Sequence, residues 1–69
     1  MGIAVTVSKN LKREMEKRGM TKEELAKKSQ LSVGTITNLL NAKTDMVRIS
    51  TFVRVLEALN MTYAQFFEE

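Results

Sequence analysis

Gly34, Thr37, Asn38 and Asn41 are spaced so that a helix turning about 100° per residue would carry all four on one side, with Thr35 at the flank. Ile36, Leu39 and Leu40 would then fall together on the other side, with Val33 and Ser32 at the edges of that arc. The outer set offers a hydroxyl, two carboxamides and one bare stretch of backbone. It can form hydrogen bonds without carrying charge. A helix face meant only for water more often carries Glu, Lys and Arg. The major groove of a nucleic-acid duplex suits the observed set better: it admits a helix, asparagine can bond an adenine edge, and threonine supplies a hydroxyl and a methyl. Asn38 is the best single candidate for such base reading. At Gly34 two explanations stand side by side. A missing side chain would allow close approach of helix and partner, or the glycine simply costs about 1 kcal/mol of helix stability at an exposed site.

The rest of the composition narrows the chemistry. The chain has 69 residues, no cysteine and no histidine. Disulfides and thiolate metal sites are therefore excluded, a transition-metal site is not expected, and the commonest general base is missing. The carboxylates sit mostly on helix faces beside lysines, and no pairing of nucleophile and base is visible, so the expectation is a protein that is not an enzyme and needs no cofactor. Net charge is +3, with eight Lys/Arg against four Glu in residues 1–34 and three against four acids in residues 35–69. Such a basic half is either a solvated helix face or a surface for an anionic partner such as nucleic acid. No stretch approaches a membrane span in length, and GIAVTV is too short for a secretory core. Gly2 followed by Thr6 matches a short myristoylation pattern, of a kind that often arises by chance. A soluble, cytoplasmic protein is the default expectation.

Five helices are needed to position these groups. Proline is absent, and three helix starts repeat one local design. Thr21 with Glu24, and Thr62 with Gln65, form capping boxes; Ser32 can cap a third start. Met20/Leu25, Leu31/Ile36 and Met61/Phe66 flank these starts as apolar staples. The pattern predicts helices from near Ser8 to Arg18 with Gly19 as the stop, from about Lys22 to Ser29, from Val33 to Asn41, from Ile49 to Leu59 and from Tyr63 to Phe67. Leu11 and Met15 face inward in the first, and Phe52, Val53, Leu56 and Leu59 in the fourth. In residues 2–7, Ile3, Val5 and Val7 alternate with Gly2, Ala4 and Thr6. That period of two predicts an extended segment over residues 1–7, which would lie on the helices, pair with a second chain or stay frayed.

The second and third predicted helices form a pair, TKEELAKKSQLSVGTITNLL, with Leu25 and Ala26 inward, a tight turn, and Ile36 and Leu39 inward. Small Ala26 permits a close crossing. The arrangement fits a helix-turn-helix, although a plain helical hairpin in a bundle has the same outline.

Three stretches, RGMTKEELA, LSVGTITNLLNAK and LEALNMT, together make residues 11–69 resemble the Cro/repressor-type (xenobiotic-response-element) helix-turn-helix regulators of bacteria and phages. The resemblance implies an all-α, five-helix, lambda-repressor-like domain over residues 8–69, with its helix-turn-helix at about 21–41. It implies a double-stranded DNA partner and, usually, a homodimer. By that resemblance Val33, Gly34, Thr37 and Asn38 would face bases. Lys22, Ser32, Thr35, Lys43, Thr44 and Arg48 would face phosphates. Helix N-termini and lysines are natural phosphate contacts on physical grounds as well. The chain departs from the family pattern at four places, one of them Val33 and Gly34, which replace long polar readers and shift the expected readout to Thr37, Asn38, a thymine methyl at Val33 and DNA shape. Gln30 stands where the turn often has glycine, so the turn must adopt another geometry or carry strain. Ala42 replaces the glycine of a common NGK. Met15 and Leu40 occupy positions that hold an arginine–glutamate pair in some phage relatives, a swap that keeps the fold credible because apolar pairs often replace buried ion pairs without loss.

The implied function is a sequence-specific DNA-binding transcriptional regulator, most simply a repressor, with its third helix in the major groove. A protein-interaction module, such as an antitoxin-like domain on the same fold, is the alternative. Acidic residues such as Glu23 and Asp45 screening the third-helix surface would favour that alternative. GIAVTV, Met46–Val47 and YAQFF are the candidate dimer contacts, and no effector pocket is indicated.

Overall fold

A computed structural model describes residues 3–42 and 48–68. Its order is α1 (Ile3–Arg18), α2 (Lys22–Ser29), α3 (Val33–Leu40), α4 (Ile49–Leu59) and α5 (Tyr63–Phe67). Among the described residues every regular element is a helix. α1 packs on α3, and α2 packs on both α3 and α4.

The boundaries follow from local hydrogen bonding. At α2, Thr21 Oγ1 accepts from the Glu24 N–H at 3.1 Å while Glu24 Oε1 accepts from the Thr21 N–H at 3.0 Å. Thr62 and Gln65 repeat the exchange at α5, at 3.2 and 3.0 Å. These side chains satisfy N–H groups that a helix start leaves without partners. The helix ends are equally regular. Gly19, Gln30 and Asn60 all adopt the left-handed conformation, at φ of 59°, 59° and 56°. The next residues, Met20, Leu31 and Met61, donate back at 3.0 Å to the carbonyls of Met15, Ala26 and Leu56. Each is thus a Schellman turn, and each sends its following apolar side chain against the core. Gln30 therefore keeps the geometry a glycine would take. It carries the strain of a left-handed residue, of order 1 kcal/mol.

The expectation for the N-terminus is overturned. Residues 3–7 are not extended but form the first turns of α1, and the helix begins five residues before the predicted start near Ser8. Ala4, Val7, Leu11 and Met15 are buried at helical spacing, whereas Ile3 and Val5 are exposed. Alternation of β-branched residues obscured this stripe, because Ala4 belongs inside and Ile3 and Val5 outside. A helix also pairs the backbone groups that an isolated strand would leave to water. The inward set of α4 needs a smaller correction. Val55 is buried where Val53 was expected, and Val53 is only half-buried. Phe52, Val55, Leu56 and Leu59 make the cleaner i, i+3, i+4, i+7 stripe. α3 ends at Leu40, with Asn41 as its cap.

Leu11, Leu25, Ile36, Val55 and Phe66 form the centre of the core. Phe52 joins α4 to α5 through edge-on rings, with centroids 5.4 Å from Tyr63 and 5.1 Å from Phe66. Two buried hydroxyls are satisfied by backbone: Ser29 Oγ donates to the Leu25 carbonyl at 2.6 Å, and Ser8 Oγ to that of Leu40. The second bond fastens the first half of α1 to the end of α3.

Candidate nucleic-acid interface

α3 is sorted as the spacing predicts. Ile36 and Leu39 are buried, and Leu40 is half-buried against the core beside Met15. Gly34 and Asn38 are exposed, Val33 is 38 % exposed, and Thr37 is half-buried. Among the described residues, none forms a side-chain hydrogen bond with Thr37 or Asn38. No acidic or basic residue lies within α3, so its outer face is polar without being charged.

Gly34 is informative for what does not surround it. A Cβ added there would meet only Ser32 Oγ, at 3.8 Å, an ordinary contact. Its φ is not in the left-handed range that demands glycine. Nothing within the described chain requires a bare backbone at this position, although glycine lowers helix stability.

The α3 N-terminus is built by Ser32. Its Oγ accepts from the Thr35 N–H at 3.1 Å and shares a 2.8 Å hydrogen bond with Thr35 Oγ1. The hydroxyls of Ser32 and Thr35 are thus engaged with each other and with the Thr35 N–H, which leaves the N–H groups of Val33 and Gly34 to other acceptors. With no carboxylate in that turn, the positive end of the helix dipole is uncompensated.

Lys22 is exposed at the first position of α2, on the rim of a depression that also includes Thr21, Met15 and Leu40. The structure therefore brings Lys22 near one end of the α3 surface. Two acids follow it in the first turn. Glu24 is turned into the capping box, and the Thr21 N–H and hydroxyl hold its carboxyl below the usual range. Glu23 is exposed and borders the same depression as Lys22. Arg48 is exposed just before α4, where its side chain makes no cap hydrogen bond. Lys43, Thr44, Asp45, Met46 and Val47 lie outside the described residues. Ala42, in place of the family's glycine, takes a left-handed φ of 52°.

Sequence reasoning missed a second polar cluster on the opposite side of α1. Glu14 is only 4 % exposed, and its Oε1 accepts from Arg18 Nη1 at 2.6 Å. Arg13 Nε lies 3.3 Å and Lys17 Nζ 3.8 Å from its Oε2. The two arginines reach onward: Arg18 Nη2 donates to the Leu59 carbonyl at 3.0 Å and Arg13 Nη2 to the Phe66 carbonyl at 3.3 Å. Asn10 Nδ2 also donates to Phe66, at 3.1 Å. The Arg18 hydrogen bond is the main cause that holds the Glu14 carboxyl below the usual range; burial opposes it, and Lys17 and Arg13 assist. In the sequence this cluster reads as part of an ordinary charge run, KREMEKR. Its one local signal is the Glu14–Arg18 spacing of four.

Among the described residues, no group of three or more His, Cys, Asp or Glu is arranged to hold a metal ion, and no helix is long and apolar enough to cross a membrane. Searches of curated proteins and of solved structures gave no match. The family model of the Cro/C1-type HTH DNA-binding domain matches residues 10–68. That span takes in the capped helix-turn-helix, the uncharged outer face of α3 and the helices that support them, and the chain belongs to the Cro/C1-type helix-turn-helix DNA-binding family.

Proposed function

We propose that the protein is a sequence-specific regulator of transcription, most simply a repressor, that sets α3 into the major groove of double-stranded DNA. The observation that carries this reading is the face of Gly34, Thr37 and Asn38: polar, uncharged, and free of any packing reason for its glycine. Asn38 is the principal base reader, suited to an adenine edge, and Thr37 offers a second hydroxyl with its methyl. Val33 is placed in sequence to meet a thymine methyl, and Gly34 admits the backbone close to the bases. Lys22, Lys43, Thr44 and Arg48 supply phosphate contacts, which position the domain without reading sequence. Ser32 and Thr35 contribute through the helix start they shape, where first-turn N–H groups can meet a phosphate. Activity in the cytoplasm follows from such a role.

The test is selection from random duplexes at a stated salt concentration, followed by comparison of variants. Asn38→Ala should weaken the selected motif by about 1–3 kcal/mol at one base position and leave random duplexes nearly unaffected. Equal weakening on every duplex would remove Asn38 as a base reader.

A homodimer completes the proposal, since one such domain spans few base pairs and a two-fold pair places two α3 helices about 34–36 Å apart. Its favoured interface is one groove where three helices meet. Ile3 and Val7 of α1, Ile49 and Phe52 of α4, and Tyr63 and Phe67 around α5 line it. Among the described residues no charged one lines this groove, so those parts of two copies can face each other without like-charge repulsion. Ile49, 75 % exposed, is its most accessible member. Ile49→Glu should leave thermal stability within about 0.5 kcal/mol of the parent. Sedimentation should shift it from dimer to monomer. A dimer that persists in the variant would rule out this groove as the interface.

A further inference from the structure

Lys12 connects two parts of the candidate DNA face. It borders the depression that includes Lys22, at the start of α2, and Leu40, at the end of α3. It also borders a second shallow groove that reaches Lys9 and Ala42, the residue two beyond the end of α3. The Ser8 hydroxyl bonded to the Leu40 carbonyl holds this part of α1 against α3. Lys9 and Lys12 are three residues apart on α1, so their side chains are neighbours on one face, and both are exposed. Among the described residues, every ion pair runs from Arg13, Lys17 or Arg18 to Glu14, and neither Lys9 nor Lys12 takes part in one.

We propose that Lys12, assisted by Lys9, contacts the DNA phosphate backbone, so that the path covered by the protein runs from the start of α2 across α1 to the end of α3. The inference rests on the DNA-binding reading above and extends it to a helix outside the helix-turn-helix. A lysine is a compact charge on a flexible stem. The Lys12 stem can lie along Met15 and Leu40 while its ammonium group reaches outward. Glu16 borders both grooves and Glu23 one of them, so the attraction is local to the ammonium groups and not a broad positive field. Such a contact releases bound counterions and carries no sequence information.

The experiment measures affinity for a selected and a random duplex between 50 and 200 mM salt. It compares the parent protein with Lys12→Gln, Lys9→Gln/Lys12→Gln and, as a control, Lys28→Gln, an exposed position on neither groove. Glutamine and lysine have similar helix propensities, so α1 should persist. Lys12→Gln should reduce the slope of log affinity against log salt by about 0.9 per bound subunit. It should weaken binding several-fold at low salt, equally on both duplexes. The double variant should lose more, and Lys28→Gln should match the parent. A parent-like slope in Lys12→Gln, or a loss confined to the selected duplex, would overturn the phosphate contact while leaving the DNA-binding reading intact. A parent protein that binds no duplex would overturn both.

Discussion

The two polar regions on either side of α1 answer their hydrogen-bonding needs in opposite ways. Around Glu14, two arginines connect a buried carboxylate to carbonyls at the ends of α4 and α5, Lys17 adds a second charge beside the carboxylate, and Asn10 shares the Phe66 carbonyl with Arg13. Every group there finds its partner within the chain. On α3, the outer groups of Thr37 and Asn38 find none among the described residues, and Gly34 leaves its surroundings open. A polar cluster closed on itself serves the fold. A polar face left open is available to a partner. Charge alone does not separate the two, since the more highly charged region is the structural one.

This contrast is most sharply broken at Glu14. Glu14→Gln should destabilise the domain by about 2 kcal/mol, the lower part of the range for hydrogen bonds to charged groups, because Arg13 and Arg18 still reach water. Urea unfolding at pH 7 measures it, and the affinity of the folded variant for DNA should not change. Direction with pH follows from the lowered carboxyl. The stabilisation is present above the ordinary carboxylate value of 4.5 and is lost as pH falls below it, through the folded-state value. The parent should therefore lose stability between pH 5 and 3 (roughly the carboxylate range) more steeply than Glu14→Gln. Parallel curves would show that the cluster contributes nothing.

Gly34→Ala sharpens the comparison from the other side, with a smaller effect. The free protein should gain about 0.5 kcal/mol, part of the helix preference for alanine, because the new methyl meets only Ser32 Oγ. Affinity for the selected duplex should fall by about 1 kcal/mol, as a methyl enters a close interface. Opposite signs in thermal melting and in duplex binding are the expected result. A gain in both would mean that the glycine is merely a weak helix residue.

Most of the fold was legible in the sequence because the helix starts are local. Thr21 and Glu24, or Thr62 and Gln65, lie three residues apart and meet wherever the helix begins, so the bounds of α2 and α5 match their patterns; α4 starts without a side-chain cap and was legible from its apolar spacing instead. The start of α1 was not legible, since exposed Ile3 and Val5 look like a strand until Ala4 and Val7 are seen to be buried. The α3 face was readable as a face because one helix alone sets it. The Glu14 cluster was not, because its carbonyl acceptors on Leu59 and Phe66 lie 41 and 53 residues away from Arg18 and Arg13. Tertiary packing likewise hid Lys12, whose position beside Lys22 and Ala42 depends on how α1 lies across the pair.

The turn at Gln30 and Leu31 has a consequence for how such a protein can change. Its two backbone bonds and the anchored Leu31 leave no slack between α2 and α3. One added residue would force α3 either to swing Thr37 and Asn38 by about 100° or to unseat Ile36 from the core. The hinge between the two helices thus works as a fixed gear. The outer face of α3 can change by exchange of side chains, while changes of length in that turn are closed to the domain.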